Sequence, residues 1–232
     1  MNFTTKIVNW YSKNKRDLPW RINKNPYSVW LSEIILQQTK IQQGLPYYLR
    51  FMDKYPNVFS LSQASEQDIL KLWEGLGYYS RARNLHKTAK LIVRDLEGVF
   101  PSTYTGLLNL PGIGKYTASA ISSICYEERK AVLDGNVYRL LSRYFNIDFP
   151  INSTLGLKYF EQLSFDLLPE INIGDYNQAL MDFGSTVCKP KLAKCDTCIL
   201  KEECGAFANS KVYLVPVKTK KKPALIKYFN FL

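Results

Sequence analysis

Leu110-Pro111-Gly112-Ile113-Gly114-Lys115-Tyr116 is the stretch on which the fold turns. Two glycines two positions apart permit a tight reversal and close backbone approach. The residues on both sides read as helices. Upstream, 81–96 is a basic segment with Leu85, Ala89 and Ile92 on one face, and Ser80 is placed to cap it. Downstream, 116–125 is rich in small and apolar residues, the composition of a buried helix. A plain helix–turn–helix connection accounts for such a sequence. So does an anion site: Gly112 and Gly114 let the backbone approach a phosphate, the free N–H groups and dipole of the second helix attract it, and Lys115 adds charge.

Working outward, the rest of the chain is also helical in pattern. Residues 27–43 lack Gly and Pro and carry an apolar stripe at Leu31, Ile34 and Ile35. Ser65 with Asp68 opens a helix before Ile69, Leu70 and Trp73. Asp134 is placed to cap a helix over 137–145, and 153–168 and 175–187 supply two more. No convincing alternating strand or long repeat interrupts them, so the class is all-α.

The 232 residues are enough for one large domain or two small ones. Breaks fall in the Pro- and Asn-containing loop 21–26, near Gly135, and in the loop-rich stretch 188–204. Lys plus Arg is 31 against 20 Asp plus Glu, a net charge of +11, which favours a polyanionic partner but also suits a merely basic protein. Residues 1–11 are polar and aromatic, without the apolar run of a secretory signal. No run reaches the length of a membrane span. A cytoplasmic location with reduced thiols is the expectation. The lysine run 218–222 reads as a solvated linker, and the aromatic ending at Tyr228, Phe229 and Phe231 as the start of a strand not continued.

Cys188, Cys195, Cys198 and Cys204 form C-x6-C-x2-C-x5-C, a set of soft thiolates suited to an iron–sulfur cluster or a tetrahedral zinc; spacing does not separate the two. Lys189, Lys191, Lys194 and Lys201 would make the surrounding loops a cationic knob. Cys125 reads as core.

Two carboxylates stand apart. Glu33 lies between apolar flanks, with Trp30 and Gln37 three and four residues away on its side of the helix. A solvated glutamate is the plainer reading; desolvation would instead raise its pKa and suit a general acid. Asp134 reads first as an N-cap, a role that also fixes a carboxylate in space. Cleavage of a glycosidic bond needs one acid for the leaving group and one carboxylate facing the cationic sugar.

Several motifs together resemble the adenine DNA glycosylases (the MutY family) of the helix-hairpin-helix glycosylase superfamily. They are Leu18-Pro19-Trp20, Trp30-Leu31-Ser32-Glu33, Leu36-Gln37-Gln38-Thr39, Leu72 to Tyr79 with Arg81 to Leu85, Leu110 to Thr117, Leu133 to Val137, Asn177 to Asp182, and the four cysteines. The resemblance runs from about Trp10 to about Pro216. It implies two helical lobes with the active site in the cleft between them: a six-helix lobe over 21–130 and a second lobe of 1–20 with 131–210 holding one 4Fe-4S cluster on Cys188, Cys195, Cys198 and Cys204. Residues 211–232 would be a basic linker or the start of a further domain.

The resemblance also implies roles. Glu33 would protonate the departing adenine, Asp134 would stabilise the sugar cation, and Tyr116 and Asn136 would hold that aspartate. Trp20, Arg21 and Gln178 would line the pocket for the flipped base. Gln38 and Tyr78 would enter the duplex, and Gly112, Gly114 and Lys115 would contact its backbone. The similar endonuclease III family has a nucleophilic lysine where Tyr116 stands. A phenol forms no Schiff base, so base removal without efficient strand cleavage is expected. The implied partner is double-stranded DNA with a mispaired adenine, bound by a monomer at the nucleoid, with no membrane partner. The chain departs from the pattern in stopping about where a nudix-like C-terminal domain would begin, so weaker preference for 8-oxoguanine opposite adenine is expected. Alternatives are a thymine-mismatch glycosylase, an endonuclease III-like glycosylase/lyase, and a non-catalytic DNA-binding protein.

Overall fold

The computed structural model describes residues 2–219, and every regular element among them is helical. The elements are α1 (Phe3–Asn14), α2 (Pro26–Leu36), α3 (Ile41–Lys54), α4 (Val58–Gln63), α5 (Glu66–Trp73), α6 (Ser80–Leu96), α7 (Tyr104–Leu108), α8 (Lys115–Tyr126), α9 (Gly135–Tyr144), α10 (Thr154–Asp166), α11 (Ile173–Thr186) and α12 (Gly205–Ala208). Most starts obey local chemistry. Asn25, Asn57, Ser65, Thr103, Asp134 and Ser153 each accept a backbone N–H from the first turn of their helix. Ser80 departs from expectation: it is the first helical residue of α6, and the residue before it, Tyr79, makes no side-chain cap.

The largest departure is at 27–43. The apolar stripe continues, but the helix stops at Leu36, Gln38 takes a left-handed φ of 56°, and α3 starts afresh at Ile41. The terminal carbonyls of α2 are taken by a guanidinium from α6 (Arg81) rather than by the next turn. Gln37 therefore lies just past the helix carrying Glu33, not on its face.

Two hydrophobic cores organise these helices. One gathers α2 through α8 around Trp30, Leu31, Ile35, Phe51, Trp73, Leu85 and Ile121. The other gathers α1, α9, α10 and α11 around Ile7, Val137, Leu141, Phe160, Tyr176 and Phe183, and extends to Leu200 in the cysteine segment. Helix α11 packs on α8 from the first set and on α1 and α9 from the second, and its Met181 touches both cores. No helix among the described residues is long and apolar enough to cross a membrane. The lysine run reaches the described residues only at Lys218; the rest of it and the aromatic ending lie outside them.

Candidate active site

The hairpin forms as its glycines require. Gly112 has φ 76°, and a Cβ there would fall 2.7 Å from the Cβ of Asn84 on α6. Gly114 is the extended residue that opens α8, so Lys115 and Tyr116 begin that helix on different faces. The Lys115 side chain is mostly exposed, 3.7 Å from Glu161, whereas Tyr116 turns inward.

Tyr116 meets both carboxylates in a cleft of about 1070 Å³. Leu18, Trp20, Arg21, Glu33, Gln37, Gln38 and Tyr116 come to it from the first set of elements; Leu133, Asp134, Asn136, Met181 and Ser185 come from the second. Its volume is at the upper end of ordinary ligand pockets, ample for a nucleobase with its sugar.

Glu33 and Asp134 are tuned differently. Around Glu33, residues Trp30, Leu31, Ser32, Ile34 and Ile35 are all buried, so its carboxyl has the cleft as its only outlet. Loss of hydration raises its pKa to about 7; the Tyr116 hydroxyl and Arg21 pull it down, and the charge of Asp134 pushes it up. The same hydroxyl lies 3.4 Å from Met181 Sδ, a much weaker acceptor than a carboxylate. Asp134 is also raised by burial, but it accepts from the backbone of Asn136 and Val137 at 2.8 Å each and from Asn136 Nδ2 at 2.6 Å. Three donors aimed at one carboxylate favour its charged form. Those donors offset part of the burial at Asp134, whereas at Glu33 burial prevails, so a proton shared by the pair is better placed on Glu33 than on Asp134.

A second layer fixes this arrangement. Arg139 donates to Asn136 Oδ1 (2.9 Å), to the Gly184 carbonyl (2.6 Å) and to the Cys188 carbonyl (2.8 Å), joining the Asp134 cap to the cysteine segment. Asn177, fully buried on α11, donates to Ser123 Oγ and the Lys130 carbonyl and accepts from Val132, which sets the approach to Asp134. Arg21 donates to both oxygens of Asp182 at 2.8 and 2.9 Å, and Arg16 pairs with the same carboxylate. Asp182 is inaccessible to solvent, and although burial opposes ionisation, the two guanidinium groups hold its pKa below the ordinary value.

The structure thus gathers Trp20, Arg21, Glu33, Gln38, Tyr116, Asp134 and Asn136 at one cleft. Gln178 is not among its lining residues: it is buried on α11, and Met181 and Ser185 of that helix face the cleft instead. Tyr78 sits outside the lining, 68% exposed, with a left-handed φ of 47° like that of Gln38. Arg16, Arg139, Met181 and Asp182 were not singled out from sequence. Met181 and Asp182 lie within the Asn177–Asp182 motif, whereas no sequence signal points to Arg16 or Arg139.

Cys188, Cys195, Cys198 and Cys204 line one small pocket with Leu140, Arg143 and Val212. Arg143 Nη1 lies 3.4 Å from Cys188 Sγ and 2.7 Å from the Lys189 carbonyl, a cation suited to a group of thiolates. Among the described residues, no three His, Cys, Asp or Glu side chains converge on a single ion-sized point.

This all-helical fold, with a glycine hairpin feeding a carboxylate-bearing cleft, is that of a DNA-repair class. The HhH-GPD superfamily of base excision DNA repair proteins matches residues 31–153, more than half of the chain, and the protein belongs to that superfamily. It is 42% identical over 230 residues to an adenine DNA glycosylase of Buchnera aphidicola subsp. Baizongia pistaciae, covering 97% of this chain and 64% of the relative. It is 40% identical over 214 residues to the adenine DNA glycosylase of Mus musculus, covering 88% of this chain and 42% of that one. The chain thus spans about two thirds of the length of the Buchnera relative. A thermostable thymine-DNA glycosylase superposes with a TM-score of 0.81 at 28% identity, covering 89% and 95% of the two chains. Endonuclease III from a non-covalent DNA complex superposes with a TM-score of 0.75 at 18% identity, covering 89% and 94%, which shows the shared fold.

Proposed function

We propose that the protein removes adenine mispaired with 8-oxoguanine or guanine by hydrolysing its N-glycosidic bond, and that it leaves the strand intact. The convergence of Glu33 and Asp134 on one cleft, with opposite protonation favoured, carries this reading. Glu33 gives its proton to the leaving base, and Asp134 faces the cationic sugar. Asn136 holds Asp134, and the Tyr116 hydroxyl holds Glu33. Trp20 and Arg21 line the pocket for the extruded base, with Gln178 behind it on α11. Gln38 and Tyr78 enter the duplex, and the Gly112–Gly114 hairpin with Lys115 takes the phosphate backbone. The adenine glycosylases among the relatives favour adenine as the base; the likeness to a thymine-DNA glycosylase makes thymine opposite guanine the second reading.

The two cores correspond on this reading to a six-helix lobe over 21–130 and a second lobe of 1–20 with 131–210. Four soft thiolates, an apolar pocket and Arg143 fit a 4Fe-4S cluster held by Cys188, Cys195, Cys198 and Cys204. Zinc needs all four sulfurs about 2.3 Å from one point, whereas a multi-iron group takes a wider set. The cluster would stiffen the lysine-bearing loops around it. The protein acts as a monomer on double-stranded DNA in the cytoplasm.

The test is direct. Purified protein is incubated with duplexes carrying A opposite 8-oxoguanine, A opposite G, and T opposite G, and cleavage is scored with and without alkali. Alkali-dependent breaks at A supports the reading. Release of T in preference to A transfers the assignment to the second reading, and breaks without alkali at the rate of base release overturn the hydrolytic mechanism.

A further inference from the structure

Arg81, in the first turn of α6, has no part in the chemistry above, yet its guanidinium joins two segments that both border the cleft region. It makes no ion pair among the described residues. Instead Nη1 donates to the carbonyls of Ile34, Ile35 and Gln37 at 3.0, 3.0 and 2.8 Å, and Nη2 to those of Leu76 and Gly77 at 3.1 and 3.3 Å. The guanidinium carbon sits 5.0 Å from the ring centre of Trp73 and 5.9 Å from that of Tyr78. The first three carbonyls form the negative end of α2, where a cation belongs. The other two belong to a turn in which Gly75 and Gly77 both have positive φ.

The residue immediately after each gripped segment is the informative one. Gln38 follows Gln37, and Tyr78 follows Gly77. Both are non-glycine residues in the left-handed region, a conformation that persists where surrounding contacts enforce it. One planar fork thus fastens two loops that are far apart in sequence and presents Gln38 and Tyr78 from a common anchor. A lysine ammonium on a flexible stem cannot serve both sides at once.

We propose that Arg81 is a positioning residue that fixes the Gln38 and Tyr78 loops relative to each other, so that both enter the duplex together and extrude the target base. This rests on the reading above that Gln38 and Tyr78 enter the duplex. The step it supports is unstacking, not bond cleavage.

The experiment uses the full chain and a duplex with a fluorescent adenine analogue, brightened by unstacking, in place of the mispaired adenine. Wild type, Arg81→Lys, Gln38→Ala, Tyr78→Ala and Glu33→Gln are compared at saturating protein, with denaturant unfolding of each. Arg81→Lys is expected to fold, to lose most of the emission rise as the two alanine variants do, and to release adenine roughly ten- to a hundredfold more slowly. Glu33→Gln is expected to keep the emission rise. A folded Arg81→Lys with full emission, while Gln38→Ala and Tyr78→Ala lose it, overturns the role of Arg81 alone. Full emission in both alanine variants overturns the underlying reading instead. Should Arg81→Lys fail to fold, the double variant of Gln38→Ala and Tyr78→Ala decides: a loss smaller than the product of the single losses supports a shared anchor, and a multiplicative loss refutes it.

Discussion

Glu33→Gln should make this protein more stable at neutral pH while removing its activity. The carboxyl of Glu33 moves from 4.5 in a solvated chain to about 7 in the fold, chiefly because burial strips its hydration. That difference corresponds to about 3 kcal/mol of preference for the protonated form, taken as an upper figure. Below pH 4.5 the side chain is neutral both folded and unfolded, and the whole contribution is present. Between 4.5 and about 7 the unfolded chain gives up its proton and the folded one does not, so stability falls as pH rises. Above 7 the folded protein carries a partly buried carboxylate beside Asp134 and the contribution is gone. Glutamine keeps the shape and cannot ionise, so this part of the slope should vanish. Denaturant unfolding of wild type and Glu33→Gln from pH 5 to 8 should show curves that separate by up to about 3 kcal/mol at the alkaline end, the variant being the more stable. Over the same range the wild-type rate of base release should fall about tenfold per pH unit above 7, as its acid form is depleted. Parallel stability curves, with no growing advantage for glutamine, would refute the assignment of Glu33 as a desolvated, proton-holding acid.

Asp182→Asn should leave Arg16 and Arg21 without their shared countercharge, costing about 3 kcal/mol or more and lowering the melting temperature by several degrees; calorimetry that shows no loss would mean the pair is not holding the cleft wall. Gly112→Ala combines a left-handed φ with a 2.7 Å approach to Asn84, so roughly 1–3 kcal/mol of stability should be lost together with affinity for undamaged duplex; thermal melting and a binding titration check both. Tyr116→Lys places an amine at the mouth of α8 inside the cleft, and borohydride should then trap a covalent protein–DNA adduct that wild type does not form.

How much of this was legible in the sequence depended on the range of the interaction. The Asp134 cap, the Ser65 start and the glycine hairpin were legible because each is settled within a few residues. The end of α2 was not, because the carbonyls there are taken by Arg81, 44 residues beyond Gln37. Glu33 reads as a plausible surface residue by pattern; only the packing of its neighbours shows that it lines a cleft. Family motifs brought Trp20, Arg21 and Gln178 to notice together, but motifs do not say which face of a helix points inward. On α11 it is Met181 and Ser185 that reach the cleft, with Gln178 buried behind. Asp182 sits in a recognisable motif, yet its partners Arg16 and Arg21 are 166 and 161 residues away, beyond any local signal. The four cysteines were obvious in sequence, and the Arg139 link from them to Asn136 was not.

The central claim is that Glu33 and Asp134 act as one unit on a single extruded nucleotide. Single-turnover release of adenine opposite 8-oxoguanine, measured for Glu33→Gln, Asp134→Asn and the double variant, tests it most directly. Each single change should slow release about a hundredfold or more, and the double should be scarcely slower than the worse single. Release at the wild-type rate by either single variant, or losses that simply multiply in the double, would contradict the account.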